Sequence, residues 1–102
     1  MINYNITVSV DDDITADWLD WMQKEHIPDV ISSGVFIKAH LSKLINPKDS
    51  DNTFAITYTC SSMKDLHYYQ VYFAADLQKK HDTRYGDKVV AFRTITEIIQ
   101  DF

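Results

Sequence analysis

Hydrophobic and polar residues alternate over the first ten positions of the chain. The hydrophobic side is formed by Ile2, Tyr4, Ile6, Val8 and Val10, and the polar side by Asn3, Asn5, Thr7 and Ser9. A two-residue period rich in β-branched side chains is typical of a strand that buries one face. Similar alternation predicts three further strands, over residues 35–45, 53–60 and 88–99.

A helical period follows the first strand. Over residues 14–26, the side chains of Trp18, Met22 and His26 fall on one face, which predicts a helix with an apolar stripe. Pro28 lacks an amide proton and disfavours helix in the residue before it. A break is therefore predicted at Pro28, with one further helical turn after it.

A second helix is predicted over residues 63–84. Ser61 or Ser62 is expected to cap its first turn, with Asp65 in the position that completes a capping box. The apolar stripe of this helix consists of Met63, Leu66, Tyr69, Phe73 and Leu77. Residues 46–52, which are rich in Asn, Asp and Pro, predict a hairpin loop between the second and third strands.

The predicted order of elements is β-α-β-β-α-β. Right-handed crossovers would place both helices on one face of a four-stranded antiparallel sheet. The fold class is therefore predicted to be α+β, a ferredoxin-like plait formed by a single domain over residues 1–102. The other sheet face carries uncharged polar side chains, namely Asn3, Asn5, Thr7, Ala55, Thr57 and Thr59. We expect this face to pack against its own copy, so that the protein is a homodimer.

Composition argues against several classes of function. The 102 residues include 10 Lys or Arg and 15 Asp or Glu, which gives a formal net charge of −5 and disfavours nucleic-acid binding. No apolar run approaches the roughly 20 residues of a membrane span, and the first residues lack the features of a signal peptide. A cytoplasmic protein with no membrane contact is expected. Cys60 is the only cysteine, so neither a disulfide nor a cysteine-built zinc site can form within one chain.

Several separated motifs lie along the chain in order. They are Tyr4-Asn5-Ile6-Thr7-Val8, Trp18-x-x-Trp21-Met22-x-x-Glu25-His26-Ile27-Pro28, Tyr58-Thr59-Cys60, Lys80-His81 with Arg84-Tyr85-Gly86, and Ala91-Phe92-Arg93-Thr94. Through these motifs nearly the whole chain resembles a bacterial family of short proteins that is classed only as a domain of unknown function. That resemblance implies no activity.

A broader resemblance is to the dimeric α/β-barrel superfamily, which includes antibiotic-biosynthesis-type monooxygenases, EthD-like proteins and haem-degrading enzymes. It depends on the order of elements, the chain length and an aromatic first helix that ends in His26-x-Pro28. The resemblance implies subunits paired sheet to sheet and a ligand held between the sheet and the helices of each subunit. A shared fold does not by itself carry a function.

His26 is the most suggestive position, because it lies within an apolar stripe. In a pocket it could act as a general base or anchor a ligand. In a packed core it would be hydrogen-bonded by a backbone carbonyl or a tyrosine hydroxyl, and this interpretation is the more common one for such a residue. The candidate ligand-binding residues are Trp18, Met22, His26, Tyr4, Tyr58 and Phe92, with His26 also the candidate catalytic residue.

Lys80, His81 and Arg84 form a candidate anion site near the end of the second helix. Helix capping and pairing with neighbouring aspartates is the preferred alternative. Arg93 could bind an anion or pair with a carboxylate across the dimer, and the pairing is preferred. The 4 histidines form no metal motif, and no glycine loop accompanies the aromatic residues, so neither a metal nor a cofactor is expected.

Three functions remain open at this point. The preferred one is binding of a small organic ligand between the helices and the sheet of a dimer. The second is a cofactor-free monooxygenase or EthD-like enzyme, in which the protein would position a substrate that itself reacts with oxygen. The third is a non-catalytic dimeric interaction module whose groove is filled by its own side chains. A cavity lined by His26 would disfavour the third.

Overall fold

Four antiparallel strands form one sheet in a computed structural model that describes residues 1–45 and 52–102. The strands are β1 (Ile2–Val10), β2 (Lys38–Lys43), β3 (Thr53–Cys60) and β4 (Val89–Glu97), in the sheet order β2-β3-β1-β4. The second and fourth strands are shorter than the predicted ranges. The hairpin loop predicted over residues 46–52 lies outside the described residues except for Asn52.

The helices fall between the strands as the sequence predicts, but each predicted helix is divided. The segments are α1 (Thr15–Trp21), α2 (Ile27–Ser32), α3 (Met63–Tyr72) and α4 (Ala74–Tyr85). A π-helical turn, Met22–His26, joins α1 to α2, and Phe73 interrupts the second pair. The Ser62 hydroxyl accepts a hydrogen bond from the Asp65 amide at 3.2 Å, which confirms Ser62 as the cap of α3.

The predicted break at Pro28 is wrong. Helical backbone continues through Ile27 into α2, and Pro28 lies in the first turn of that helix. The wide turn before it provides the reason, since the amide of Ile27 donates to the carbonyl of Met22 five residues earlier. A proline in a regular α-turn would lack its own hydrogen bond and clash with the preceding turn. One extra residue in the turn relieves this conflict.

Strand pairing decides which side chains face the helices. Residues directly opposite each other in antiparallel strands point to the same side of the sheet. Tyr4 lies opposite Tyr58, and Ile6 lies opposite Ile56. These residues pack with the helices around Trp18, which is 0% exposed. The other side carries the uncharged polar residues, so the sheet has one covered face and one open face.

The β-α-β-β-α-β order and the antiparallel sheet confirm the predicted α+β, ferredoxin-like fold. Its core joins the even-numbered residues of β1 and β3 to helix residues such as Trp18, Leu66 and Leu77. Within residues 1–45 and 52–102, no helix is both long enough and apolar enough to cross a membrane.

Candidate functional site

A cavity of about 250 Å³ lies between the covered face of the sheet and the helices. The strands contribute Ile6, Val8, Ile56, Tyr58, Val89, Ala91 and Arg93 to its lining. The helical segments contribute Trp18, Met22, His26, Gln78, His81 and Asp82. The strands therefore supply a mostly apolar wall, and most of the polar groups come from the helices.

Trp18 and His81 form a partly buried hydrogen bond beside this cavity. The indole Nε1 of Trp18 donates to Nε2 of His81 at 3.0 Å. Because Nε2 accepts, a neutral His81 must carry its proton on Nδ1. That nitrogen lies 3.6 Å from a carboxylate oxygen of Asp82. The three side chains thus form a chain of polar contacts from the core of the protein to its surface.

Both cavity histidines are held in the neutral form. Burial lowers the pKa of His26 to about 4, with a further lowering from His81, while Asp29 opposes the shift. Burial also lowers the pKa of His81, and the carboxylate of Asp82 partly offsets it. An uncharged imidazole can act as either a hydrogen-bond donor or an acceptor towards a ligand.

The ring of His26 lies against other aromatic rings without being hydrogen-bonded to them. Its centroid is 5.1 Å from that of Trp21 and 5.7 Å from that of His81. Within the part of the chain that the structure describes, no side-chain hydrogen bond of His26 is present. Its ring nitrogens therefore remain available on the cavity side, unlike those of a histidine satisfied in a packed core.

The register of β4 places Phe92 and Arg93 on opposite faces. Phe92 lies opposite Thr7 and Arg93 opposite Ile6. Phe92 therefore belongs to the open face, where it is 67% exposed, and its predicted place in the pocket is wrong. Arg93 points to the covered side and lines the cavity. This direction, away from the open face, argues against the preferred interpretation that Arg93 pairs with a carboxylate across the sheet of a dimer.

The two tyrosines of the predicted pocket occupy different places. Tyr58 lines the cavity, although it is only 1% exposed. Its hydroxyl is buried and has no hydrogen-bond partner among the described residues, and burial raises its pKa. Tyr4 lies in the core, 6.4 Å from the ring of Tyr58, and is not part of the cavity lining. Of the six predicted residues, the cavity brings together Trp18, Met22, His26 and Tyr58, and ligand binding by them remains a prediction.

The predicted anion cluster of Lys80, His81 and Arg84 is not assembled. His81 points inwards to Trp18, whereas Lys80 lines a shallow depression on the outer surface of α4. Arg84 lies 3.4 Å from the Asp17 carboxylate. Lys80 and Arg84 are one turn apart on α4, but His81 is held by Trp18 and Arg84 by Asp17, so the three side chains do not converge on one ligand.

Sequence reasoning missed Gln78 and the inward position of Arg93. Gln78 belongs to no sequence motif, and a single glutamine on a helix is normally predicted to be exposed to solvent. Arg93 could have been found from its alternation with Phe92, had the aromatic residue been assigned to the dimer face. Among the described residues, no group of three or more His, Cys, Asp or Glu side chains is placed to hold a metal ion.

Comparisons with known proteins agree with the fold. The model of one protein family, described as a domain of unknown function (DUF4286), matches residues 1–99. No curated protein sequence matches the chain. Among solved structures, a dimeric ferredoxin-like protein from an uncultured marine organism superposes with a TM-score of 0.76 at 10% identity, over 99% of this chain and 96% of that one.

Two further solved structures share the fold. SnoaB from Streptomyces nogalater, described as a cofactor-independent oxygenase, superposes with a TM-score of 0.73 at 10% identity, over 98% of this chain and 94% of that one. A protein of the ethyl tert-butyl ether D (EthD) family from Bacillus halodurans has a TM-score of 0.74 at 10% identity, over 97% of this chain and 100% of that one. At this identity the likeness establishes the fold alone.

Proposed function

The chain belongs to the DUF4286 family of domains of unknown function, and we propose that it is a homodimeric protein that binds a small organic molecule in the cavity of each subunit. One observation carries the proposal. The neutral imidazole of His26, without a hydrogen-bond partner among the described residues, faces a cavity walled by apolar strand residues. Ligand pockets typically combine an apolar wall with a few convergent polar groups.

The size of the cavity limits the ligand. Pockets for drug-sized molecules usually enclose about 300–1,000 Å³. A cavity of about 250 Å³ suits a molecule with one or two rings. A self-filled interaction module would have its groove occupied by side chains, so an open cavity lined by His26 argues against that third function.

The open face of the sheet supports the homodimer. Its polar groups satisfy one another: the Thr59 hydroxyl donates to the Asn3 side-chain oxygen at 2.8 Å, and the Thr57 hydroxyl donates to that of Asn5 at 3.1 Å. Polar groups that are already hydrogen-bonded can be buried at little cost. Phe92 adds exposed apolar area to the same face. A second copy would cover this area, and one of the similar structures is described as dimeric.

Cofactor-independent oxygenation is the second candidate function. The observation that favours it is again His26, since a neutral imidazole that lines a cavity can orient a bound substrate by hydrogen bonding. The substrate itself would react with oxygen, and the protein would contribute orientation and exclusion of water. Oxygen consumption in the presence of a bound ligand would separate this function from simple binding.

Native mass spectrometry of freshly purified protein tests the proposal. We expect a dimer mass, and on denaturation the release of a small molecule in roughly stoichiometric amount. Binding of aromatic fragments, followed by amide NMR shifts, should map to residues around His26. Ala91→Trp, which fills the cavity, should abolish both the release of a small molecule and the NMR shifts caused by the fragments. Thr83→Trp, on the outer surface of α4, should abolish neither. Equal binding by wild-type protein and Ala91→Trp would contradict the proposed site.

A further inference from the structure

We infer that the ligand of this cavity is an organic anion, held through its acidic group by the guanidinium of Arg93. The inference rests on the proposed function and names the chemical class that the cavity would take. It follows from Arg93, the one cationic side chain among the described residues of the lining, and from the groups placed around it.

Arg93 lies on the side of the sheet that the helices cover, where the residue is exposed and has no protein partner among the described residues. It is opposite Ile6, and the neighbouring side chains of β4 on the same side are Ala91 and Ile95. Within residues 1–45 and 52–102, its guanidinium makes neither an ion pair nor a hydrogen bond. Guanidinium groups near apolar walls usually pair with an anion, because a carboxylate accepts two parallel N–H bonds from the planar fork.

Two further groups could complete the binding of an acidic head. Gln78 and His26 both line the cavity, and neither side chain forms a hydrogen bond among the described residues. The amide of Gln78 offers two N–H donors, and a neutral imidazole offers one. Arg93, Gln78 and His26 together could satisfy the oxygens of a carboxylate, sulfonate or phenolate while the apolar wall holds its hydrocarbon part.

Asp82 is the opposing charge. It also lines the cavity, but its side chain is 75% exposed to solvent and lies 3.6 Å from Nδ1 of His81. The two charges stand on different elements, Arg93 on β4 and Asp82 on α4. We therefore place the acidic group of the ligand at the β4 side and its apolar body towards Trp18 and Met22.

Matched acid and amide probes test the inference. Benzoate with benzamide, 1-naphthoate with 1-naphthamide, and 3-phenylpropionate with 3-phenylpropanamide differ in charge but hardly in shape. Titrations of the full chain, followed by amide NMR shifts, should show at least one acid binding about tenfold or more tightly than its amide, since charge-assisted hydrogen bonds are the stronger kind. The shifts should centre on Ala91, Arg93 and His26.

Charge variants identify the residue responsible. Arg93→Gln should remove the preference, so that each acid binds no more tightly than its amide. Lys79→Gln, which removes the same charge from the outer surface of α4, should leave the preference intact. Asp82→Asn should strengthen binding of the acid, because it removes the negative charge of a carboxylate that lines the cavity.

The outcomes separate the inference from the function on which it rests. Equal binding of every acid and its amide at the cavity would overturn the anion inference and leave the proposed ligand-binding function standing. A preference that survives Arg93→Gln would overturn the role of Arg93. Failure of every probe to bind at millimolar concentration, with no retained molecule in the mass spectrum, would overturn both.

Discussion

The indole of Trp18 donates its hydrogen bond to Nε2 of His81, across a distance of 3.0 Å and 63 positions of sequence. Trp18 comes from α1 and His81 from α4, so the bond ties these two helices together at the cavity. It also fixes the proton of a neutral His81 on the nitrogen that faces Asp82. The lining of the candidate site is therefore held in one orientation by a bond within the core.

Replacement of Trp18 should be the most destabilising change on α1. Trp18→Ala removes a side chain that is 0% exposed and packs 5.3 Å from the ring of Phe54, so we expect a loss of roughly 3–5 kcal/mol in the free energy of unfolding. Trp18→Phe should keep much of the packing and lose less. Urea unfolding measures both. A loss below about 1 kcal/mol for Trp18→Ala would contradict the packing described here.

The two cavity histidines should differ in their effect on stability. His26→Ala removes no hydrogen bond within the described residues and should change the free energy of unfolding by less than about 1 kcal/mol. His81→Ala leaves the buried N–H of Trp18 without an acceptor and should cost roughly 1–3 kcal/mol. Paired urea unfolding curves test this difference. If His26→Ala proved the more costly, His26 would be a structural residue rather than part of a ligand site.

Stability should fall in mild acid because of His26. Its pKa is about 4 in the folded chain, against an ordinary value of 6.5, so between these values the unfolded chain binds a proton that the folded chain does not. The stabilisation is therefore complete above about pH 6.5 and is lost as the pH falls towards 4, by at most about 1.4 kcal/mol per pH unit for one such group. His81 is shifted in the same direction.

Urea unfolding at pH 5 and pH 7 would measure this loss, and His26→Gln should make it smaller. Proton NMR of the His26 ring should give a midpoint near pH 4. A ring that titrates at its ordinary value would mean that the imidazole is solvated, which the packing against Trp21 does not allow.

A charge on the open face of the sheet should dissociate the proposed dimer. Phe92→Asp places a carboxylate where a second sheet would pack, and burial of an unpaired charge is costly. Tyr72→Asp on α3 is a matched control, since Tyr72 is 66% exposed and Phe92 is 67% exposed. Sedimentation equilibrium should give a monomer for Phe92→Asp and a dimer for both Tyr72→Asp and the wild type. If Phe92→Asp and Tyr72→Asp were both dimers, the dimer interface would not lie on the open face of the sheet.

The fold could be predicted because alternation and helical periods were clear in each segment. Residues 2–10 alternate without exception, and the structure places β1 at those positions. The residues of the candidate site were harder to predict, since β4 carries apolar residues on both faces. With Phe92 and Arg93 adjacent, either residue could face the helices, and only the pairing of β4 with β1 decides the matter.

A tertiary contact and an irregular helical turn account for the other differences between the predicted and the observed structure. The bond between Trp18 and His81 joins residues far apart in sequence, so local spacing could suggest only that His81 lay near Lys80 and Arg84. Pro28 was expected to end a helix because local rules treat each turn as a regular one. The π turn before it, in which Ile27 bonds to Met22 five residues earlier, is a local arrangement that no single residue type signals.

The π turn also makes the site sensitive to chain length. The π turn holds one residue more than a regular helical turn, as the insertion of a single codon would leave it. Removing one residue from this turn would rotate α1 by about 100° relative to α2. Deleting Gln23, an exposed residue in this turn, would leave the chemical groups of the cavity unchanged but alter where Trp18 and His26 point relative to each other. In relatives of this chain, a one-residue deletion within residues 22–26 would then mark proteins that keep the fold but not this cavity.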